Sequence, residues 1–246
     1  MDLVQAGFKQ FIYFLIRMDY IEHDNDLGVT HIWHNSTIVE SIITYRGTKV
    51  DIVDRPHWGL TCYMDNCIQS CLFDEKIYHE ALVSKVMNDA KTVLILGGGE
   101  GSTAREVLKW PVERVDMIEW DKDVVDLFKK YPQWSQSWDD KRLHIQYEDV
   151  FQWKPSMKYD AIIIDLFEPN EKFIDLVRNA LNWKTSPNGN LVMYAGMKNI
   201  KDPPYIKIMN EISSEVWRGI PLYTHLIKMY SVYIPSFLGE ATFFWF

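Results

Sequence analysis

Residues 93–108 read VLILGGGEGSTAREVL, an apolar run that ends in glycines and is followed at once by a helical pattern. The apolar residues before Gly97 predict a buried strand because they favour β-structure and stop at a turn. Gly97, Gly99 and Gly101 allow a sharp turn and the close approach of a ligand to the backbone. The pattern is typical of a nucleotide-binding turn between a strand and a helix.

Glu100 is an unusual residue for such a turn. A pyrophosphate bound at the start of a helix would be repelled by a carboxylate at the centre of its site. We therefore expect a ligand other than a phosphate. Ser102 or Thr103 is expected to cap the helix that follows.

Size and charge restrict the class of protein. The 246 residues are 47% hydrophobic, which is enough for a full core in one large domain with a smaller appendage. A formal charge of −8 and the lack of a Lys/Arg cluster argue against nucleic-acid binding. The apolar run FIYFLI is short and closed by Arg17, so no membrane span or signal peptide is expected and the default location is the cytoplasm.

The cysteines do not form a metal-binding pattern. Cys62, Cys67 and Cys71 are odd in number, form no CxxC pair and have no histidines at ligand spacing. We expect reduced, buried thiols and no metal.

The order of elements predicts the fold. Gly28 to about Asp74 is rich in β-favouring residues and predicts a small antiparallel β domain, and a helical pattern follows from Asp74 to Asn88. Beyond Lys91, apolar strands alternate with helices, including one from about Tyr205 to Trp217, which predicts a mainly parallel sheet covered on both faces. A closing antiparallel hairpin makes this the plan of an α/β class I methyltransferase-like Rossmann sheet. We expect domains at 1–74 and 75–246.

Consecutive strands of the predicted sheet end in acids, at the edge where ligands of open α/β sheets bind. They are Glu100, Glu119, the pair Glu148 and Asp149, and the pair Asp165 and Glu168. Glu119 lies about 20 residues after the glycine turn, where an acid binds both ribose hydroxyls. Asp149 is suited to accept from an adenine amine. Each acid alone could be a helix cap, but so many at one edge favour an adenosine site.

These motifs, in this order, resemble those of the polyamine aminopropyltransferases, the spermidine and spermine synthase family. The resemblance runs from about Thr37 to Phe246. The family's GGGDG appears as GGGEG with Glu100, its ribose-binding acid as Glu119, and its adenine-contacting acid as Asp149. The resemblance therefore implies an adenosine co-substrate at the strand ends.

Two further motifs resemble those that form the amine site in this family. LDGxIQ followed by DExxYHE corresponds to MDNCIQSCLFDEKIYHE, which keeps Gln69, Tyr78 and His79. DxxDP appears as DLFEP, which implies a catalytic base at Asp165 and a second amine-binding acid at Glu168. Gln69 would then contact the co-substrate, and Tyr78 would orient the attacking nitrogen.

The resemblance implies transfer of an aminopropyl group from decarboxylated S-adenosylmethionine to a diamine, with putrescine as the default acceptor. The products would be spermidine and methylthioadenosine, no cofactor would be tightly bound, and the protein would be a homodimer. Glu100 would attract the ammonium of the decarboxylated co-substrate and repel the carboxylate of S-adenosylmethionine.

Several positions depart from the family pattern. The loop after Asp165 is shortened, and Ala195, Gly196 and Met197 stand where the family has the Gln and nearby Glu that hold the distal ammonium. Phe237 replaces a tyrosine, and Glu40 replaces a glutamine near the co-substrate, where it would add negative charge to the substrate site. We expect the first amine to be activated normally and the length of the amine to be discriminated weakly.

Two alternatives remain open. A methyltransferase using S-adenosylmethionine has the same fold, and fold alone does not determine chemistry. A catalytically silent relative that binds adenosine compounds would also explain the altered distal site. Glu100 and Asp165 argue against the first alternative, and the retained Tyr78 and Asp165 argue against the second.

Overall fold

A computed structural model describes residues 17–24, 28–167, 169–185, 190–198, 206–207, 210–211 and 227–246. The elements divide between two sheets. The first is a five-stranded antiparallel sheet in the order β1-β2-β3-β4-β5. Its strands are β1 (Met18–Asp24), β2 (Val29–Ile43), β3 (Lys49–Arg55), β4 (Gly59–Met64) and β5 (Cys67–Cys71).

The antiparallel sheet begins with β1 at Met18. The sequence pattern predicted a later start, at Gly28. Strand β1 pairs with β2 and turns Tyr20 and Glu22 inward, each less than 5% exposed. The charged residues of β1 hide this pattern in the sequence, because Glu22 is buried as the acceptor of a hydrogen bond from Trp33 Nε1 at 2.5 Å. Of the three free cysteines, Cys62 and Cys71 are buried as expected, whereas Cys67 is exposed at the start of β5.

The second sheet has seven strands in the order β11-β12-β10-β9-β6-β7-β8. Its strands are β6 (Thr92–Gly97), β7 (Arg114–Ile118), β8 (Leu143–Gln146), β9 (Ala161–Asp165), β10 (Asn190–Met197), β11 (Lys228–Ile234) and β12 (Gly239–Trp245). Strands β6 to β10 pair in parallel, and β12 runs antiparallel to both β10 and β11. This is the predicted class I methyltransferase-like sheet with its closing hairpin.

Helices cover both faces of this sheet, because its central strands are apolar on both sides. The helices are α1 (Glu75–Ser84), α2 (Ser102–Leu108), α3 (Lys122–Phe128) and α4 (Lys172–Asn182). Helices α1 and α2 pack on the face that contains Val93 and Ile95, and α4 packs on the face that contains Leu94 and Leu96. The helix predicted from Asp74 to Asn88 ends earlier, at Ser84. The helix predicted over 205–217 lies largely outside the described residues.

Helix α3 joins the two sheets through a shared core. Leu127 and Phe128 of α3 pack with Val50 and Ile52 of the antiparallel sheet. Trp134, which is fully buried, completes this cluster and donates a hydrogen bond to Ser70 at 2.9 Å. The antiparallel sheet is thus fixed beside the carboxyl ends of the parallel strands.

Strand β6 marks the point where the chain order of the sheet reverses, since it lies between β7 and β9. Ligands of open α/β sheets bind at such a point, outside the carboxyl ends of the strands. The fold therefore predicts a ligand site at the turn after β6 and the end of β9. Among the described residues, no helix combines the length and apolar character needed to cross a membrane.

Candidate active site

The turn after β6 is held directly against the end of β9. Gly97 pairs in register with Asp165, and its φ of +89° is one that L-residues rarely adopt. A Cβ atom at Gly97 would lie 2.1 Å from the backbone oxygen of Asp165. Gly101 has a φ of +81°, and a Cβ there would lie 2.4 Å from the ring of Trp138. Both glycines are therefore required by close packing and by backbone conformation.

The first turn of α2 differs from the prediction. Its N-cap is Gly101, and no side chain caps the helix. The Ser102 hydroxyl donates to the backbone oxygen of Trp134 at 3.4 Å, and the Thr103 hydroxyl donates to Asp165 Oδ2 at 2.5 Å. The prediction that Ser102 or Thr103 caps the helix was wrong, because the sequence did not reveal that these hydroxyls face acceptors in other elements.

Asp165 receives hydrogen bonds from two elements. The Tyr78 hydroxyl of α1 donates to Oδ1 at 3.1 Å, and Thr103 of α2 donates to Oδ2. Burial raises the pKa of Asp165, although the charge of His79 and the hydrogen bond from Thr103 act in the opposite direction. Burial and the neighbouring Asp165 raise the pKa of Tyr78 as well, so its hydroxyl stays protonated and donates. A carboxylate with a raised pKa is suited to accept a proton.

Glu100 extends from the glycine turn to α1. Its Oε1 lies 2.7 Å from His79 Nε2, and its side chain is 13% exposed. His79 Nδ1 lies 3.1 Å from Glu75 Oε2, so the imidazole stands between two carboxylates. Burial alone would lower the pKa of His79, but Glu100 and Glu75 outweigh burial and raise it to about 10. His79 is therefore an imidazolium at neutral pH.

Donor atoms of Glu75, His79 and Glu100 lie within 4.8 Å of one another, a spacing that would suit a metal ion. A metal ligand must be a neutral imidazole, however, and both nitrogens of His79 face oxygen acceptors here. The Glu75 carboxylate also receives two hydrogen bonds from Arg105. The arrangement fits a neutralised chain of charges better than a metal site.

Glu119 and Asp149 lie at the ends of the next two strands, β7 and β8. Glu119 is 9% exposed, and a Cβ at Gly99 would lie 2.8 Å from its Oε2. Burial raises the pKa of Glu119 to about 7, although the backbone N–H of Asp121 donates to it at 2.9 Å. Asp149 Oδ1 accepts from the backbone N–H of Phe151 at 2.9 Å, so this acid does cap the turn that follows β8. The capping leaves further acceptor capacity on the carboxylate.

The remaining predicted residues have different positions. Gln69 is exposed and borders the same hollow as Tyr78 and His79. Glu40 accepts hydrogen bonds from Lys130 at 2.5 Å and Tyr131 at 2.9 Å, and no contact joins it to Asp165 or Glu100. Lys130 therefore offsets the negative charge that the sequence led us to expect from Glu40. Glu168 lies outside the described residues.

Aromatic rings surround the Tyr78 ring. The Tyr78 ring contacts Tyr194 and Phe237 at centroid distances of 5.7 and 6.2 Å. Ala195 and Gly196 follow Tyr194 in β10, and Gly196 lies at a bulge with a φ of +111°. Two of the departures from the family pattern, Phe237 and the Ala195–Gly196 segment, thus lie on the Tyr78 side of the site.

Sequence reasoning assigned no role in the site to Thr103, Glu75 or Arg105. Thr103 was interpreted as a cap because hydroxyls are common at helix starts. Glu75 and Arg105 are ordinary surface residues by type, and 30 positions separate them in sequence. For Glu75 two signals were available: its place in the DEKIYHE motif, and its position four residues before His79, since positions i and i+4 share a helix face.

A cavity of about 530 Å³ lies elsewhere, between residues 150–155 and α4. None of the predicted site residues that the structure describes lines it. The lining of this cavity begins one residue after Asp149, at the end of β8. The cavity is therefore separate from the place where Tyr78 and Asp165 meet.

Sequence comparisons identify relatives over much of the chain. Residues 71–245 match the spermine/spermidine synthase domain family. A polyamine aminopropyltransferase of Saccharolobus solfataricus is 33% identical over 77% of this chain and 69% of its own length. The enzyme of the same name from Pyrobaculum aerophilum is 35% identical over 82% of this chain and 72% of its own. Another, from Prochlorococcus marinus, is 36% identical, and the match spans about half of each chain (50% and 47%).

Solved structures give the same result. A spermidine synthase crystallised with the transition-state analogue AdoDATO is 25% identical, with a TM-score of 0.78 over 94% of this chain and 81% of that one. The spermidine synthase of Thermotoga maritima is 26% identical, with a TM-score of 0.75 over 94% of this chain and 80% of that one.

The sheet order defines the class of protein by its fold, an α/β protein with a class I methyltransferase-like sheet. Within that class, the chain belongs to the spermine/spermidine synthase family, whose named members are polyamine aminopropyltransferases.

Proposed function

We infer that this protein transfers an aminopropyl group from decarboxylated S-adenosylmethionine to a diamine, giving a longer polyamine and methylthioadenosine. The observation that carries this conclusion is the Tyr78–Asp165 pair beside Glu100: an acid of raised pKa, oriented by a hydroxyl, next to a second acid on the nucleotide turn. The names of the relatives and the analogue complex of the neighbouring structure support it.

The proposed role of Asp165 follows from the requirements of the reaction. The leaving group is a neutral thioether, so no general acid is needed. The attacking amine must be neutral, although its ordinary pKa is ~10, near that of lysine. Asp165 accepts the proton, and burial helps because it disfavours the charged forms of both partners. Tyr78 orients the same nitrogen.

The proposed role of Glu100 is to select the co-substrate. Decarboxylated S-adenosylmethionine ends in an ammonium, which a carboxylate attracts, whereas S-adenosylmethionine carries an additional carboxylate, which Glu100 would repel. His79 Nε2 lies 2.7 Å from Oε1 of Glu100, so we assign the opposite oxygen to the ligand.

The adenosine part is assigned to the acids at the neighbouring strand ends. Glu119 would bind the ribose hydroxyls and Asp149 the adenine amine, with Gln69 contacting the co-substrate from the antiparallel sheet. Gly97, Gly99 and Gly101 are assigned to the same site because they pack the turn tightly against the end of β9, Glu119 and Trp138.

The acceptor is proposed to be putrescine, with weak discrimination of length. Support comes from the aromatic and small residues around Tyr78, since its ring contacts Tyr194 and Phe237 and the nearby Gly196 has no side chain. Glu168 is the proposed partner for the amine, and Glu40, already paired with Lys130, is assigned a minor part. Rates for diamines of increasing length test this proposal, and a sharp preference for one length would contradict it.

The two-domain division at residues 74 and 75, the cytoplasmic location and the homodimer remain predictions. The antiparallel sheet ends at Cys71 and α1 begins at Glu75, which is consistent with the proposed division.

A methyltransferase is the second candidate, favoured by the sheet order alone. Calorimetry with decarboxylated and ordinary S-adenosylmethionine in parallel separates the two functions. We expect tighter binding of the decarboxylated compound, and a preference for S-adenosylmethionine would overturn the proposal. Turnover of any diamine would exclude the third interpretation, a silent relative.

A further inference from the structure

Arg105 and Glu75 form a buried ion pair behind the proposed site. Arg105 Nη1 lies 3.0 Å from Glu75 Oε1, and Nη2 lies 2.8 Å from Oε2, so the guanidinium donates to both oxygens in a bidentate ion pair. The Glu75 side chain is only 1% exposed. Such a two-point contact leaves the carboxylate little freedom to rotate. Glu75 therefore presents Oε2 to His79 in a fixed direction.

Both ring nitrogens of His79 face oxygen acceptors. Nδ1 lies 2.7 Å from the backbone oxygen of Glu75 and 3.1 Å from its Oε2, and Nε2 lies 2.7 Å from Glu100 Oε1. A neutral imidazole has one nitrogen without a proton, and its lone pair would then face an oxygen lone pair. With Glu75 and Glu100 ionised, both contacts are favourable when both nitrogens carry protons; the Nε2 contact with Oε1 is an ion pair by distance and does not have hydrogen-bond geometry.

We propose that Glu75 is a positioning residue: held by Arg105, it keeps His79 doubly protonated, and the imidazolium fixes Glu100 for a cationic ligand. The effect on ligand binding rests on the proposed function, whereas the protonation of His79 does not. The four contacting side chains alternate in charge in the order Arg105, Glu75, His79 and Glu100, and their summed charge is zero.

The groups that act on His79 come from each element around it. Glu75 and Tyr78 share α1 with it, Glu100 lies on the glycine turn, and Arg105 acts through Glu75. The negative charge of Asp165 in β9 also favours the imidazolium. Loss of Glu75 alone would leave Glu100 as the single carboxylate in contact with the ring.

The protonation state of His79 is measured directly from its side-chain nitrogen resonances by ¹H–¹⁵N NMR of the full chain without ligand. We expect both nitrogens protonated at pH 7.5 in the wild type. Glu75→Gln keeps an oxygen for Nδ1 but removes the charge, and it should lower the titration midpoint of His79 by about 1 pH unit or more. Glu75→Asp, which retains the charge, should keep most of the wild-type midpoint.

Glu106→Gln is the matched control. Glu106 is another buried carboxylate bound to Arg105, with Oε1 2.9 Å from Nη2, but it has no contact with His79. This variant should leave the His79 midpoint unchanged. A neutral His79 in the wild type, an unchanged midpoint in folded Glu75→Gln, or an equal drop in Glu106→Gln or Glu75→Asp would overturn the proposal.

The enzymatic test separates positioning from folding. The assay is run at a pH above the lowered titration midpoint of His79 in Glu75→Gln. There the variant should have a KM for decarboxylated S-adenosylmethionine raised by roughly tenfold, with little change in kcat, because the lost interaction orients the co-substrate site. A fall in kcat with unchanged KM would contradict the assigned role. Failure of aminopropyl transfer itself would be seen in the wild type and would leave the NMR result intact.

Discussion

The Tyr78 hydroxyl lies 3.1 Å from Oδ1 of Asp165, a contact between residues 87 positions apart in the chain. It joins helix α1, which follows the antiparallel sheet, to the end of strand β9 in the parallel sheet. The Asp165 carboxylate is thus held by α1, which precedes the glycine turn in the sequence, and by Thr103 of α2, which follows it.

Asp165→Asn should abolish most of the turnover. An amide cannot accept the proton of the attacking amine, and general base catalysis commonly contributes ~10²–10⁴-fold to the rate. We expect kcat to fall by about that factor while calorimetry shows nearly unchanged co-substrate binding. Asp175→Asn, an exposed position on α4, is the control and should behave as the wild type.

Thr103→Val should move the acidic limb of the kcat profile to higher pH. The Thr103 hydrogen bond lowers the pKa of Asp165, so its loss raises that pKa further and a higher pH is needed to form the carboxylate. The neighbouring hydroxyl provides the control, since Ser102 donates to Trp134 and not to Asp165. An identical displacement in Ser102→Ala would show that the effect is not local to Asp165.

Glu100→Gln should weaken discrimination between the two co-substrates. Removal of the charge removes attraction for the ammonium and repulsion of the carboxylate, so the affinity ratio should fall by roughly tenfold or more. Parallel titrations with both compounds measure this ratio. Glu148→Gln, an exposed acid at the end of β8, should leave it unchanged.

Gly97→Ala should destabilise the protein far more than Gly47→Ala. The two glycines have nearly the same φ, +89° and +90°, but a Cβ at Gly47 meets nothing within 4 Å, whereas at Gly97 it would strike the backbone of Asp165. The shared strain is ~1–2 kcal/mol, and the clash at Gly97 should add about 2 kcal/mol or more. Urea denaturation of both variants gives the comparison, and equal losses would show that packing at the turn is loose.

Glu119 should make stability depend on pH. Burial raises its pKa to about 7, whereas in the unfolded chain it is ~4.3. The folded state therefore holds the proton longer, and the stability contributed by protonated Glu119 is lost as pH rises from about 4 through about 7. Compared with Glu119→Gln, the wild type should lose up to about 3 kcal/mol of unfolding free energy between pH 5 and 8. Exposed Glu113→Gln should show no such trend.

Much of the architecture follows from local patterns in the sequence. The apolar run before Gly97 and the acids at Glu119 and Asp165 fix the strand ends, because carboxyl ends of parallel strands meet at one edge. Strand β1 was missed because charged residues interrupt its alternation. Burial of Glu22 depends on Trp33 in the next strand, which no local pattern reveals.

The site was less predictable, because its hydrogen bonds join distant elements. Thr103 has the residue type and position of a helix cap, but its hydroxyl donates to an acid 62 positions later. The Lys130 that neutralises Glu40 is 90 positions away from it. Residue types at strand ends predict which chemistry is possible, whereas the partner of each group depends on the packing of α1, α2 and α3 around the sheet.

Product analysis is the most direct test of the proposed function. The wild-type protein, incubated with decarboxylated S-adenosylmethionine and putrescine, should yield spermidine and methylthioadenosine in equal amounts by mass spectrometry. Absence of an aminopropylated amine across a panel of diamines, or methylation of an acceptor with S-adenosylmethionine, would contradict the account.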